Sequence, residues 1–141
     1  MKIMIVCSAS FYNRVEPIKE HLENKGIEII LPNGYEDVLN NVVTKLTTED
    51  ELNDFFSEMF LLSRRKISGV DSILVLNFDK EKNGVVHKNY IGASTFLEMY
   101  EAFMQNKVIY MYNSYPDNML KDEIRGFKPI YIAGDLDKIN N

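Results

Sequence analysis

The sequence is poor in metal-binding and redox side chains, with one cysteine and two histidines. One cysteine permits no internal disulfide and no cysteine-rich zinc site, and two isolated histidines give no metal centre. Tryptophan is absent, and glycine and proline number only seven and four. They form no Pro/Gly/Ser linker, and the chain has no internal repeat or low-complexity stretch. The longest apolar runs, residues 3–7 and 108–112, fall far short of the ~20 residues of a membrane-spanning helix. The first residues, Met1-Lys2-Ile3-Met4-Ile5-Val6-Cys7, are too short for a signal peptide and lack its cleavage site. Positive charge is in deficit, with 16 Lys and Arg against 21 Asp and Glu, a net charge of −5 and a pI near 5.1. That argues against a nucleic-acid polymer as partner, which needs a basic stripe, but not against a small nucleotide. Together these absences predict a cytoplasmic protein without membrane association, and no cofactor is called for.

What remains is an ordinary globular mixture, 45% hydrophobic and 26% charged. At about 150 residues per domain, 141 residues make a single domain spanning 1–141. A chain of that size has no second lobe to close a cleft, unless another subunit supplies the wall. Short runs of branched apolar residues alternate with longer segments of helical period. That pattern belongs to an α/β fold with a parallel sheet between helices. Strands are predicted over residues 2–7, 27–31, 71–78, 108–112 and 129–132. Helices are predicted over 15–25, from the capping pair Thr48 and Glu51 to about residue 67, from Ser94 or Thr95 to about 106, and over 119–125. Residues 35–46 fit a helix or a lid-like loop. Right-handed crossovers favour the strand order 2-1-3-4-5. Ligands of such sheets bind at the carboxyl ends of strands, where the order reverses. That rule selects residues 8–13, 77–95 and 113–117.

The most informative block is Gly92-Ala93-Ser94-Thr95-Phe96-Leu97-Glu98. Gly92 permits a tight turn, and a helix opening with hydroxyl residues suits an anion. Glu98 is expected in the first turn of that helix, where the macrodipole favours the ionised carboxylate. A positioned carboxylate beside a crevice can attack a sugar carbon. The competing reading is an ordinary dipole-compensating glutamate. Glu101 is its helical neighbour and either shares acid–base work or is solvated. Asp79, just past the third strand, suits a sugar hydroxyl or opens a turn. Ser8, Ser10, Phe11, Tyr12 and Asn13 follow the first strand and either hold a base or phosphate or form a solvated loop. That loop has no glycine, so it is neither a Walker loop nor a dinucleotide fingerprint. The long connection over residues 79–92 carries Lys80, Lys82, His87 and Lys88, and suits closure over an anionic ligand or plain solvation. Cys7 reads as a small core residue.

With these segments together, the chain resembles the nucleoside 2-deoxyribosyltransferase-like superfamily, in its small stand-alone members. The resemblance is carried by Ile3-Met4-Ile5-Val6-Cys7-Ser8-Ala9-Ser10-Phe11, Gly26-Ile27-Glu28-Ile29-Ile30-Leu31-Pro32, Asp71-Ser72-Ile73-Leu74-Val75-Leu76-Asn77 and Asn89-Tyr90-Ile91 with the Gly92 to Glu98 block. Weaker matches follow at Lys121-Asp122-Glu123-Ile124 and Gly134-Asp135-Leu136. It implies a three-layer flavodoxin- or Rossmann-like fold. It also implies a homodimer or larger homo-oligomer with active sites completed between subunits. The implied chemistry is cleavage of the N-glycosidic bond of a (deoxy)nucleoside or nucleoside 5′-monophosphate, with the deoxyribosyl unit passing to a base or to water. By position Glu98 is similar to the family's nucleophile. Ser8, Ser10 and Phe11 look like the wall that receives the substrate, and Asn77, Asp79, Gly92, Ser94 and Thr95 complete the expected binding set. Asn113 and Ser114 fall where a neighbouring subunit is expected to add contacts. The chain departs from the family at two acid positions, now Ser63 and Gly92. That departure motivates an alternative, a non-catalytic nucleotide-binding module on the same fold. A third reading, a phosphoribohydrolase of the cytokinin-activating type, shares the spacing of Gly92, Thr95 and Glu98 but lacks the Pro-Gly-Gly that should precede it.

Overall fold

A computed structural model describes residues 1–40 and 45–140. Five strands form one parallel sheet, namely β1 (Lys2–Val6), β2 (Glu28–Ile30), β3 (Ser72–Val75), β6 (Val108–Met111) and β7 (Ile130–Tyr131). Their order is β2-β1-β3-β6-β7, the expected 2-1-3-4-5 when only the sheet strands are counted. Register follows the apolar pattern, with Ile3 opposite Ile29 on one side and Ser72 on the other. Asp71 Oδ2 accepts the Lys2 backbone N–H at 2.8 Å and pins the start of β3 against β1.

Strand residues alternate between two faces, so a central strand apolar throughout must feed two cores. Ile3, Ile5 and Leu74 join one cluster with Val15, Ile18 and Leu22 of α1 (Val15–Asn24). Phe11 and Tyr12, from a 3-10 turn over Ala9–Arg14, belong to the same cluster. Met4, Val6, Ile73 and Val75 join the other cluster. There they meet α3 (Glu49–Ser68), α4 (Ala93–Met104) and α5 (Lys121–Gly126) through Ile67, Met99, Ala102 and Ile124. The result is a three-layer α/β domain of flavodoxin- or Rossmann-like architecture. Among the described residues no helix is long and apolar enough to cross a membrane.

Three local features differ from the sequence expectation. The N-cap of α4 is Gly92, not Ser94 or Thr95, so both hydroxyl residues fall inside the first turn and Glu98, expected there, falls in the second. The connection over residues 79–92 folds into a hairpin, β4 (Lys80–Lys82) and β5 (Val85–His87). Asn83 and Gly84 close it with φ of 53° and 76°, a left-handed pair that Asn-Gly tolerates and that matches strand twist. The ambiguous stretch 35–46 begins as a short helix, α2 (Tyr35–Leu39), while residues 41–44 lie outside the described residues.

Candidate functional site

A cavity of about 690 Å³ opens at the carboxyl ends of β1 and β2. Cys7, Ser8, Ala9 and Tyr12 contribute the β1 side, and Pro32, Asn33 and Gly34 the β2 side. The α3 helix supplies Phe55, Phe56, Met59, Phe60, Ser63 and Arg64. Tyr90, Gly92 and residues of α4 between Ala93 and Glu101 complete it.

Helical spacing explains how polar groups reach this interior. On α3, Ser63 stands four residues before Ile67, and these are its two buried positions. On α4, Glu98 lies between the buried Thr95 and Ala102, three residues from one and four from the other. The two inward stripes face each other, and Ser63 Oγ donates to Glu98 Oε2 at 3.0 Å. Glu98 Oε1 has no hydrogen-bond partner among the described residues, which leaves it open to a ligand.

Behind Ser63 lies a polar chain. Asn33 Nδ2 donates to Ser63 Oγ at 2.8 Å and to the Met59 carbonyl at 3.3 Å. Lys66 Nζ donates to Asn33 Oδ1 at 2.8 Å and to the Leu31 carbonyl at 2.6 Å. The Tyr12 hydroxyl donates to the Asn33 carbonyl at 2.8 Å, holding the 32–34 turn against the 3-10 segment. At the rim, Arg64 pairs with Glu101.

Burial dominates the electrostatics. It pushes the Glu98 carboxyl up to about 7, against the Ser63 hydrogen bond and the Lys66 charge, which hold it down. Burial likewise lowers Lys66, with Glu98 opposing that shift. The Cys7 thiol is driven to about 12 by burial and then by the Glu98 charge, so it stays protonated and is a poor nucleophile. Tyr12 rises to about 12 for the same leading reason. Near neutrality the Glu98 carboxyl is therefore poised between its two protonation states. A carboxylate in that condition can act as a nucleophile or as a proton carrier.

Of the sequence-predicted residues, Ser8, Gly92, Ser94, Thr95 and Glu98 line the cavity. Ser10, Phe11, Asn77, Asp79, Asn113 and Ser114 do not. Phe11 packs edge-on against Phe78 at 5.4 Å inside the core. Ser10 is exposed and its backbone N–H reaches Ser8 Oγ. Asp79 Oδ1 accepts the Asn89 backbone N–H at 3.0 Å and braces the hairpin. Asn77 is fully buried and ties β3 to the loop after β6 through Asn113 and Ser114. No hairpin residue lines the cavity, and Lys80 instead sits 4.7 Å over the Tyr90 ring. Sequence reasoning missed Asn33, Lys66 and the aromatic wall of α3. A signal for Asn33 existed, because Pro32-Asn33-Gly34 follows a strand at its carboxyl end as the selected loops do.

Among the described residues no group of His, Cys, Asp and Glu is placed to hold a metal ion. No protein-family model matches this chain, and no curated protein is significantly similar to it.

Proposed function

We propose that the protein is a member of the nucleoside 2-deoxyribosyltransferase-like superfamily. In this reading it cleaves the N-glycosidic bond of a (deoxy)nucleoside or nucleoside 5′-monophosphate. The carrying observation is a single one, a part-buried carboxyl lining a cavity, bonded through one oxygen to Ser63 and open at the other. Glu98 Oε1 attacks C1′, and the C1′–N bond breaks as the base leaves with its electron pair and takes up a proton from solvent. The resulting glycosyl ester is resolved when an acceptor base or water attacks C1′ and returns the carboxylate of Glu98. Aromatic side chains of α3 offer the flat apolar surface a base stacks on.

The protein acts as a homodimer or larger homo-oligomer. This is supported by large apolar side chains that α3 and α4 leave uncovered, among them Phe56, Leu61 and Tyr100, which are 50%, 53% and 49% exposed. Three of these exposed side chains, Phe56, Phe60 and Leu97, also line the cavity.

The test is incubation with deoxynucleosides and their 5′-monophosphates, with and without an acceptor base. Free base released by wild type and lost in Glu98→Gln is the expected result, and equal release by both removes Glu98 from the mechanism. A second reading, a nucleotide-binding module without turnover, is favoured by the absence of a second carboxylate bonded to Glu98 among the described residues. Calorimetric binding without base release would select it.

A further inference from the structure

We infer that Lys66 and Asn33 are positioning residues that fix the direction of the Ser63 hydroxyl toward Glu98. The inference rests on the proposed role of Glu98 for its functional meaning, but not for its geometry.

The argument follows from what each group can donate and accept. An ammonium has protons and no lone pair, so Lys66 Nζ, 2.8 Å from the Asn33 side chain, can meet only its carbonyl oxygen. That fixes the amide with its NH₂ toward Ser63, at 2.8 Å. The NH₂ has no acceptor, so the Ser63 oxygen must receive it. The one proton of Ser63 is then free to be given to Glu98 Oε2 at 3.0 Å. Every donor in the chain points the same way, from the cation to the carboxylate, and bonds so aligned polarise one another. The ends are held independently. Lys66 is also anchored on the Leu31 carbonyl, and Asn33 on the Met59 carbonyl. Without Lys66 the amide could turn over and present its oxygen to Ser63. The hydroxyl would then point back at Asn33, and its oxygen lone pairs would face the carboxylate.

The other charged or titratable groups around Glu98 do not substitute for this chain. Cys7, at the end of β1, and Tyr12, on the 3-10 turn, are both held protonated by burial. Arg64 is engaged by Glu101 at the rim.

The test is a ¹³C-carboxyl NMR titration of Glu98 in the substrate-free protein, its resonance assigned by its loss in Glu98→Gln. Asn33→Leu changes no charge, yet is expected to raise the Glu98 midpoint by about one pH unit, as Ser63→Ala does. The double variant is expected to rise no further than either single one. An unchanged midpoint in Asn33→Leu, or full additivity with Ser63→Ala, overturns the inference. Should Asn33→Leu fail to fold by circular dichroism, Lys66→Gln and Lys66→Arg carry the test. Arg keeps a donor-only group and Gln does not, so their midpoints should differ, and differ less when Ser63 is Ala. An equal difference in both backgrounds overturns the relay. Midpoints that move as stated while no substrate releases base leave the relay standing and remove the glycosidic reading. Release that depends on Glu98 with unmoved midpoints does the reverse.

Discussion

Ser63 Oγ and Glu98 Oε2 stand 3.0 Å apart across two helices that the chain separates by the whole of β3 and the β4–β5 hairpin. That bond partly offsets the cost of burying Glu98, whose carboxyl still rises from 4.5 to about 7. Between those values the unfolded chain is ionised while the fold holds the proton. Stability therefore falls as pH rises from 4.5 to about 7, by roughly 3 kcal/mol in full. Glu98→Gln removes the titration. It is expected to be more stable than wild type by about 1–3 kcal/mol at pH 8, and close to wild type at pH 4. Urea unfolding at the two pH values measures this, and an equal difference at both would contradict the assignment.

In the proposed reaction the same titration sets a rate profile. Attack on C1′ needs the ionised carboxylate, so kcat/KM for base release should climb with pH through about 7 and level off above it. Ser63→Ala removes a bond to the ionised form and moves that limb to higher pH. About one pH unit of movement means roughly tenfold less activity at pH 6, with a much smaller loss on the alkaline plateau. Steady-state rates from pH 5 to 9 for both proteins decide it. A uniform loss across the range would make Ser63 a packing residue only.

The exposed face of α3 and α4 leads to a prediction about assembly. Aromatic side chains bury about 150–250 Å² each when covered, so a patch of half-exposed rings and leucines offers on the order of 700 Å². That is close to the ~800 Å² each partner contributes to a standard interface. Leu61 and Met104 are 53% and 57% exposed and lie outside the cavity lining. Leu61→Glu with Met104→Glu should therefore break the assembly without touching the site. In sedimentation, wild type should run at a multiple of the 16.4 kDa chain and the variant at that mass itself. Wild type already at 16.4 kDa would rule out the oligomer.

Much of this was legible in the sequence, for identifiable reasons. Strands apolar on both faces announce a sheet covered on both sides, and β1 after Lys2 and β3 after Ser72 carry that signal. Glu98 was readable because Gly92, Ser94 and Thr95 mark a helix start beside a strand end. The relay behind it was not. Lys66 and Asn33 meet only when α3 packs over the end of β2, a contact between segments with no shared period. The α3 face misled in the opposite sense. Leu52, Phe56 and Phe60 share a helical face with Ser63 and Ile67 and, with Phe55, look like a core stripe, yet only the carboxyl end of that face, at Ser63 and Ile67, is buried. Hydrophobicity alone does not tell a core from an interface.

Asn77 separates support from binding. Its Nδ2 donates to the carbonyls of Asn113 at 3.1 Å and Ser114 at 2.8 Å, and its Oδ1 accepts the Asn113 backbone N–H at 2.8 Å. Asn113 Nδ2 returns a bond to the Asn77 carbonyl at 3.1 Å. Three of the four hydrogen bonds open to this fully buried amide are thus spent on joining the ends of β3 and β6. Asn77→Ala leaves those backbone groups without partners and opens a small void. The expected cost is about 2–4 kcal/mol, read as a lower urea midpoint with an unchanged slope. Because Asn77 does not line the cavity, the folded fraction should bind nucleoside with wild-type affinity in calorimetry at low temperature. A stable Asn77→Ala protein with weakened affinity would instead make this amide part of the binding site, and would require the ligand to reach beyond the Glu98 cavity toward β6.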